Sequence, residues 1–155
     1  MSGNVFMTRM PAGIPGSVSR LSSGVLEPNQ IGAAPVTFGA PVKLENGLVT
    51  PLAGGETADA IYGFLVRPYP TMSTANAFGV ADAPENTLQS VMRSGYMVVR
   101  LAAGTAAKNG KVYVRVSGGT VGDIEAASGA GLVAIDAIFM GEADASGNTE
   151  ISFNI

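Results

Sequence analysis

The sequence predicts an all-β chain, a small β-barrel or jelly-roll-like sandwich with an extended N-terminal arm. Two observations carry this. Apolar and polar residues alternate over short stretches, the period at which successive side chains leave opposite faces of a strand. Glycine-rich turn signals, Asn46-Gly47 and Asn109-Gly110 among them, separate these stretches. Short strands joined by tight turns pack as barrels or as two-sheet sandwiches.

Residues 1–32 read as the arm. Gly, Ser and Pro interrupt every attempt at periodicity there, so the segment is expected to be irregular. It is not a composition that stays disordered, because Val5, Phe6, Met7, Met10, Ile14, Val18, Leu21, Val25 and Leu26 are apolar. Such an arm should lie on something, either its own barrel or a partner subunit.

Residues 33–155 read as one β-domain. Val36 and Phe38 alternate, then Val42 and Leu44, and Asn46-Gly47 turns the chain back into Leu48-Val49. Residues 61–66 (Ile-Tyr-Gly-Phe-Leu-Val) are almost continuously apolar, which predicts a strand covered on both faces. Arg67-Pro68-Tyr69-Pro70 ends it, since proline cannot donate to a ladder. Residues 71–86 read as a loop. Leu88, Val91 and Met92 fit either a short helix capped by residues 82–85 or a strand; the strand is preferred, kinked at Arg93-Ser94-Gly95 into a run where Met97, Val99 and Leu101 share a face. Val112, Val114 and Val116 alternate cleanly with polar partners, and Gly118-Gly119 leads into an expected strand at Thr120-Val121. Residues 125–131 read as small and flexible. Ile135, Ala137 and Phe139 mark one more strand, and Ile151, Phe153 and Ile155 the last, whose end should be paired and tied down.

Composition narrows the chemistry. The chain has no His, Cys or Trp, and 14% of its residues are charged, against roughly 25% in ordinary soluble domains. There is no imidazole base, thiolate or usual zinc, copper or haem ligand, so no cofactor or metal is expected. A net charge of −3 with scattered Lys and Arg leaves no basic stripe for nucleic acid. No stretch reaches the roughly 18 apolar residues that span a bilayer, and residues 1–20 lack the apolar run of a signal peptide, so synthesis in the cytoplasm is expected. So few charges on an apolar chain suggest that part of the surface is hidden against a neighbour.

The remaining reactive groups are carboxylates. Asp123 with Glu125, and Glu56 with Asp59, could form a glycosidase-like pair, but turn and edge roles suit them better. Residues 142–150 carry alternating oxygen donors around Gly147, yet the spacing is that of an ordinary turn rather than a calcium loop. The glycine pairs Gly54-Gly55 and Gly118-Gly119 lack the strand-to-helix context of a phosphate cradle. No enzymatic activity is expected.

Several blocks point to a family. Residues 6–20 (Phe-Met-Thr-Arg-Met-Pro-Ala-Gly-Ile-Pro-Gly-Ser-Val-Ser-Arg) resemble the N-terminal signature of the structural cement, or head decoration, proteins of tailed bacteriophages. Residues 63–70, Arg93-Ser94-Gly95-Tyr96-Met97 and residues 112–116 are similar to its middle blocks. Phe139-Met140-Gly141 and residues 151–155 are similar to its end. The resemblance implies a non-enzymatic virion protein on the outer surface of the head. It would bridge neighbouring copies of the major capsid protein and act as a homodimer or homotrimer at a symmetry axis. The expected capsid or subunit contacts are Phe6, Met7, Arg9, Met10, Ile14 and Arg20 in the arm, with Arg67, Pro68 and Tyr69 at the corner. The competing class is a carbohydrate-binding or host-attachment β-module, against which the missing Trp counts.

Overall fold

One strand, β7 (Leu88–Ala103), organises the rest of the chain. The computed structural model describes residues 12–69 and 81–155. Before β7 come β1 (Val18–Gln30), β2 (Val36–Thr37), β3 (Pro41–Glu45), β4 (Leu48–Pro51), β5 (Gly63–Leu65) and β6 (Asp82–Ala83). After it come β8 (Lys111–Arg115), β9 (Ile124–Glu125), β10 (Leu132–Phe139) and β11 (Asn148–Asn154). A single 3₁₀ turn, Ala58–Ala60, lies between β4 and β5. The all-β expectation holds.

The strands form two circuits that share β7. In the first, β7 pairs with β11, β11 with β10, β10 with β8 and β8 with β9; β9 returns to β7 in parallel register, Leu101 beside Ile124. This is a closed barrel, and closure leaves no free edge within it. In the second, β7 pairs with β5, β5 with β3 and β3 with β4, while β1 covers the opposite edge of β7. One bridge, Ile31 to Val49, links the end of β1 to β4. The short pair β2–β6 packs beside this circuit.

Each circuit has its own core. The barrel buries Phe64, Met92, Met97, Val99, Val112, Val114, Ile135, Phe139, Ile151 and Phe153 among others, with Phe64 and Phe153 edge-to-face at 4.8 Å. The smaller core gathers Ile31, Val36, Phe38, Val42, Val49, Leu65, Ala83 and Val91. Strand alternation explains the split: Phe64 and Met92 face the barrel, whereas their neighbours Leu65 and Val91 face the other way. Each such side chain contributes about 1.5–3 kcal/mol by leaving water. The continuous apolar run at residues 61–66 is therefore covered on both faces, as expected.

The Asn46-Gly47 hairpin forms, with both residues at positive φ (52° and 79°) and Glu45 opposite Leu48. The strand reading of residues 88–92 also holds. Gly95 (φ 131°) bends β7 without ending it, and a side chain there would collide with Met92.

Four expectations need correction. Residues 71–86 are not all loop, because Asp82–Ala83 form β6 against β2. Residues 18–30 are not irregular: they form β1, antiparallel to β7. Its alternation was illegible because shifts in register between Val18 and Arg20, Arg20 and Val25, and Val25 and Leu26 absorb the residues that break the pattern. An outer strand also tolerates Pro28, whose missing donor can face away from the ladder. Thr120-Val121 is a turn, and the strand comes later, at Ile124–Glu125. Residues 125–131 accordingly begin inside a strand, with Glu125 buried.

Candidate interaction surface

The corner after β5 is built by backbone bonds that leave the sheet. Val66 N–H still donates to Ser90 O (2.9 Å), but Arg67 N–H donates to Gly16 O (2.8 Å) and Gly16 N–H to Val98 O (2.8 Å). The segment just before β1 is thereby fastened between Arg67 and β7. Arg67 reinforces it: its Nε donates to Pro15 O at 3.0 Å, and its guanidinium lies over the Phe38 ring at 4.8 Å. Burial lowers the pKa of this arginine, with the charge of Asp82 acting in opposition.

Two glycines make the approach close enough. A Cβ on Gly16 would lie 2.9 Å from Gly39 N, and one on Gly39 would lie 2.6 Å from Gly16 N. Both residues also have positive φ, so the crossing admits no side chain on either.

The structure thus brings together two elements that the sequence kept far apart: residues 14–16 and the Arg67-Pro68-Tyr69 corner. Ile14 is 55% exposed and Tyr69 91% exposed. Next to them, Pro68 shares a shallow groove of about 200 Å³ with Pro28, Val66, Leu88, Gln89 and Ser90. Leu88 is 72% exposed, and Val25 and Leu26 on β1 are exposed as well. Exposed apolar side chains of this size, with Leu88 among them lining the groove, make this a candidate contact region.

Arg20 sits elsewhere. Its Nε and Nη2 donate to the two Glu150 oxygens at 3.0 and 2.9 Å, and it stacks over Tyr96 at 4.4 Å. Ser19 Oγ donates to the same carboxylate at 2.6 Å. Burial alone would raise the Glu150 pKa, but the hydrogen bonds from Arg20 and Ser19 outweigh it and the pKa is lowered. Phe6, Met7, Arg9 and Met10 lie outside the described residues.

The carboxylates flagged in the sequence serve local structure. Glu125 accepts from Arg115 Nε at 2.6 Å, and Arg115 also donates to Ser117 O. Glu56 accepts from the backbone N–H groups of Ala53 (2.7 Å) and Gly54 (2.8 Å) and pairs with Lys43 (3.1 Å). Asp144 accepts from the N–H groups of Ser146 and Asn148, both at 2.9 Å, which folds the turn before β11. Among the described residues no cluster of three or more acidic side chains is placed to hold a metal ion.

Sequence reasoning missed one cluster entirely. Tyr62 donates its hydroxyl to Glu27, Arg93 lies over the Tyr62 ring at 4.1 Å, and Arg93 Nη2 reaches Ile155 O at 3.1 Å. With the Ile155 N–H donating to Arg93 O at 2.9 Å, this ties the end of β11 to β1 and β7, so the last strand is held as expected.

The family model of the XM1 gp53 minor capsid protein matches residues 3–153. The chain belongs to that family. A chain in the structure of the capsid of Myoviridae phage XM1 has the same fold, with a TM-score of 0.72 and 20% identity over 99% of this chain and 97% of that one. No curated protein matches the chain. The resemblance read from the sequence blocks therefore holds at the level of a phage capsid-associated family.

Proposed function

We propose that this minor capsid protein is a cement, or decoration, protein: it sits on the outer surface of the phage head and bridges neighbouring major capsid protein subunits. The observation that carries the reading is the fixed apolar corner of Ile14, Pro68, Tyr69 and Leu88, exposed on a chain of this family. Many copies of a modest contact add through avidity over a closed shell, so no single site needs high affinity. Arm residues Phe6, Met7, Arg9 and Met10 extend the contact, and self-association as a dimer or trimer at a symmetry axis multiplies it. No step of this role calls for catalysis.

The test is occupancy on purified heads that lack the protein. Removal of residues 1–11 leaves the Gly16 and Val18 pairing with β7 intact, unlike a cut at residue 20. That deletion and Tyr69→Ala are each expected to lower occupancy at least several-fold, with the circular dichroism spectrum unchanged. Full occupancy by both variants would refute the assignment.

A further inference from the structure

A second concave site lies where the two circuits meet, lined by neither Tyr69 nor Leu88. It has a volume of about 530 Å³, within the range of clefts that hold a ligand or a short chain segment. Phe38 and Arg67 line one side, from the smaller circuit; Arg100, Val121 and Asp123 line the other, from the barrel. Two arginines and Asp123 therefore border it, with Asp82 acting on Arg67 from nearby, on a chain whose net charge is −3.

The two arginines differ. Arg67 lies over the Phe38 ring and is bonded to Pro15 O. Arg100 is exposed and makes no hydrogen bond or ion pair among the described residues; its charge acts on Asp123 through space. Asp123 itself is desolvated and lies near Glu125, and both effects raise its pKa. The groove thus combines an apolar wall, one immobilised cation and one cation free to reach an incoming anion.

We propose that this groove receives an extended, carboxylate-bearing segment of a neighbouring capsid subunit of a different kind, with Arg100 donating to the carboxylate and Phe38 and Val121 flanking the apolar residues beside it. Arg100, exposed and without an ion-pair partner among the described residues, favours an acidic partner, and the two-sided apolar lining favours a chain segment over a free ion. The inference rests on the capsid reading above and adds a second contact to it.

The experiment measures binding of the full chain to heads that lack it, at low and at physiological ionic strength. Arg100→Gln is expected to weaken binding on the order of tenfold and to flatten its salt dependence. Asp123→Asn, which removes the opposing charge, is expected to strengthen it. Ala102→Trp fills the groove without entering either core, and is expected to weaken binding to a similar degree as Arg100→Gln. Melting curves check that each variant folds.

Wild-type binding that is undiminished by Arg100→Gln and by Ala102→Trp would overturn the groove assignment and leave the decoration reading standing. Failure of the wild type to bind heads would overturn both. Self-association of the free protein that Arg100→Gln abolishes would overturn the assignment in favour of a second copy as the occupant.

Discussion

The barrel and the smaller circuit share β7 but are closed in different ways. The barrel closes through ladders on both sides of β7, seven consecutive paired positions with β11 and a short, shifted parallel pairing with β9. The smaller circuit closes through one bridge between Ile31 and Val49 and relies on side chains such as Phe38 and Val36 to fill it. The regular unit supplies rigidity, and the less regular one carries Ile14, the Arg67 corner and much of the exposed apolar surface.

Neighbouring residues on β5 allow the comparison to be broken directly. Phe64→Ala removes a fully buried ring from the barrel core and is expected to cost about 3–5 kcal/mol. Leu65→Ala removes a fully buried side chain from the smaller core and is expected to cost about 2–3 kcal/mol, since a smaller cluster collapses more easily around the gap. Urea unfolding followed by circular dichroism reads both. Because β7 belongs to each circuit, both variants should still unfold in one transition; a two-step curve for Leu65→Ala would show that the circuits are energetically separate.

Acid sharpens the contrast with a smaller effect. Each circuit contains a carboxylate whose pKa is lowered from the ordinary 4.5: Glu150 against Arg20 and Ser19 in the barrel, Glu56 against the N–H groups of Ala53 and Gly54 and against Lys43 beside β3 and β4. In both, burial pushes upward and the hydrogen bonds outweigh it. A lowered folded-state pKa means that the unfolded chain binds the proton first. The stability from these pairs is therefore present above pH 4.5 and is lost as pH falls below it toward the folded-state values. Asp123 has the opposite sign, because its pKa is raised, and it moderates the acid loss. Melting temperature against pH should thus decline below 4.5, and Glu56→Gln and Glu150→Gln should each flatten that decline. A decline unchanged in both variants would remove these pairs as its source.

The smallest effect is expected from Arg20→Ala. This ion pair is partly exposed, and such pairs contribute little. The variant should lose only a small fraction of the stability lost by Leu65→Ala, and head binding should hardly change, because Arg20 is engaged with Glu150 and lies apart from the apolar corner. A large drop in occupancy with normal melting would place Arg20 in the contact surface.

The barrel strands were legible because each has one wet face, which prints alternation into the sequence: Val112, Val114 and Val116 are all buried, as are Ile151 and Phe153. Residues 61–66 were legible for the complementary reason, since two covered faces leave an unbroken apolar run. β1 was hidden because register shifts spoil a period of two while leaving the backbone paired. The interaction surface was half legible. Its residue types at Ile14 and Arg67-Pro68-Tyr69 stood out, but their meeting depends on Gly16 crossing Gly39, a contact between positions with no shared pattern. Leu88 and the groove beside Arg100 arise purely from how the circuits are stacked, and nothing local announces them.

The single span of β7 has a mechanical consequence. A strand of sixteen residues, bent at Gly95, runs from the Leu88 end of the exposed apolar region into the barrel, where Leu101 pairs with β9. Tension applied to an anchored copy when the shell swells would run along this tie into the ladders on either side. Many backbone bonds would then be loaded in parallel shear instead of peeled one at a time, so the molecule would act as a strut that fails late.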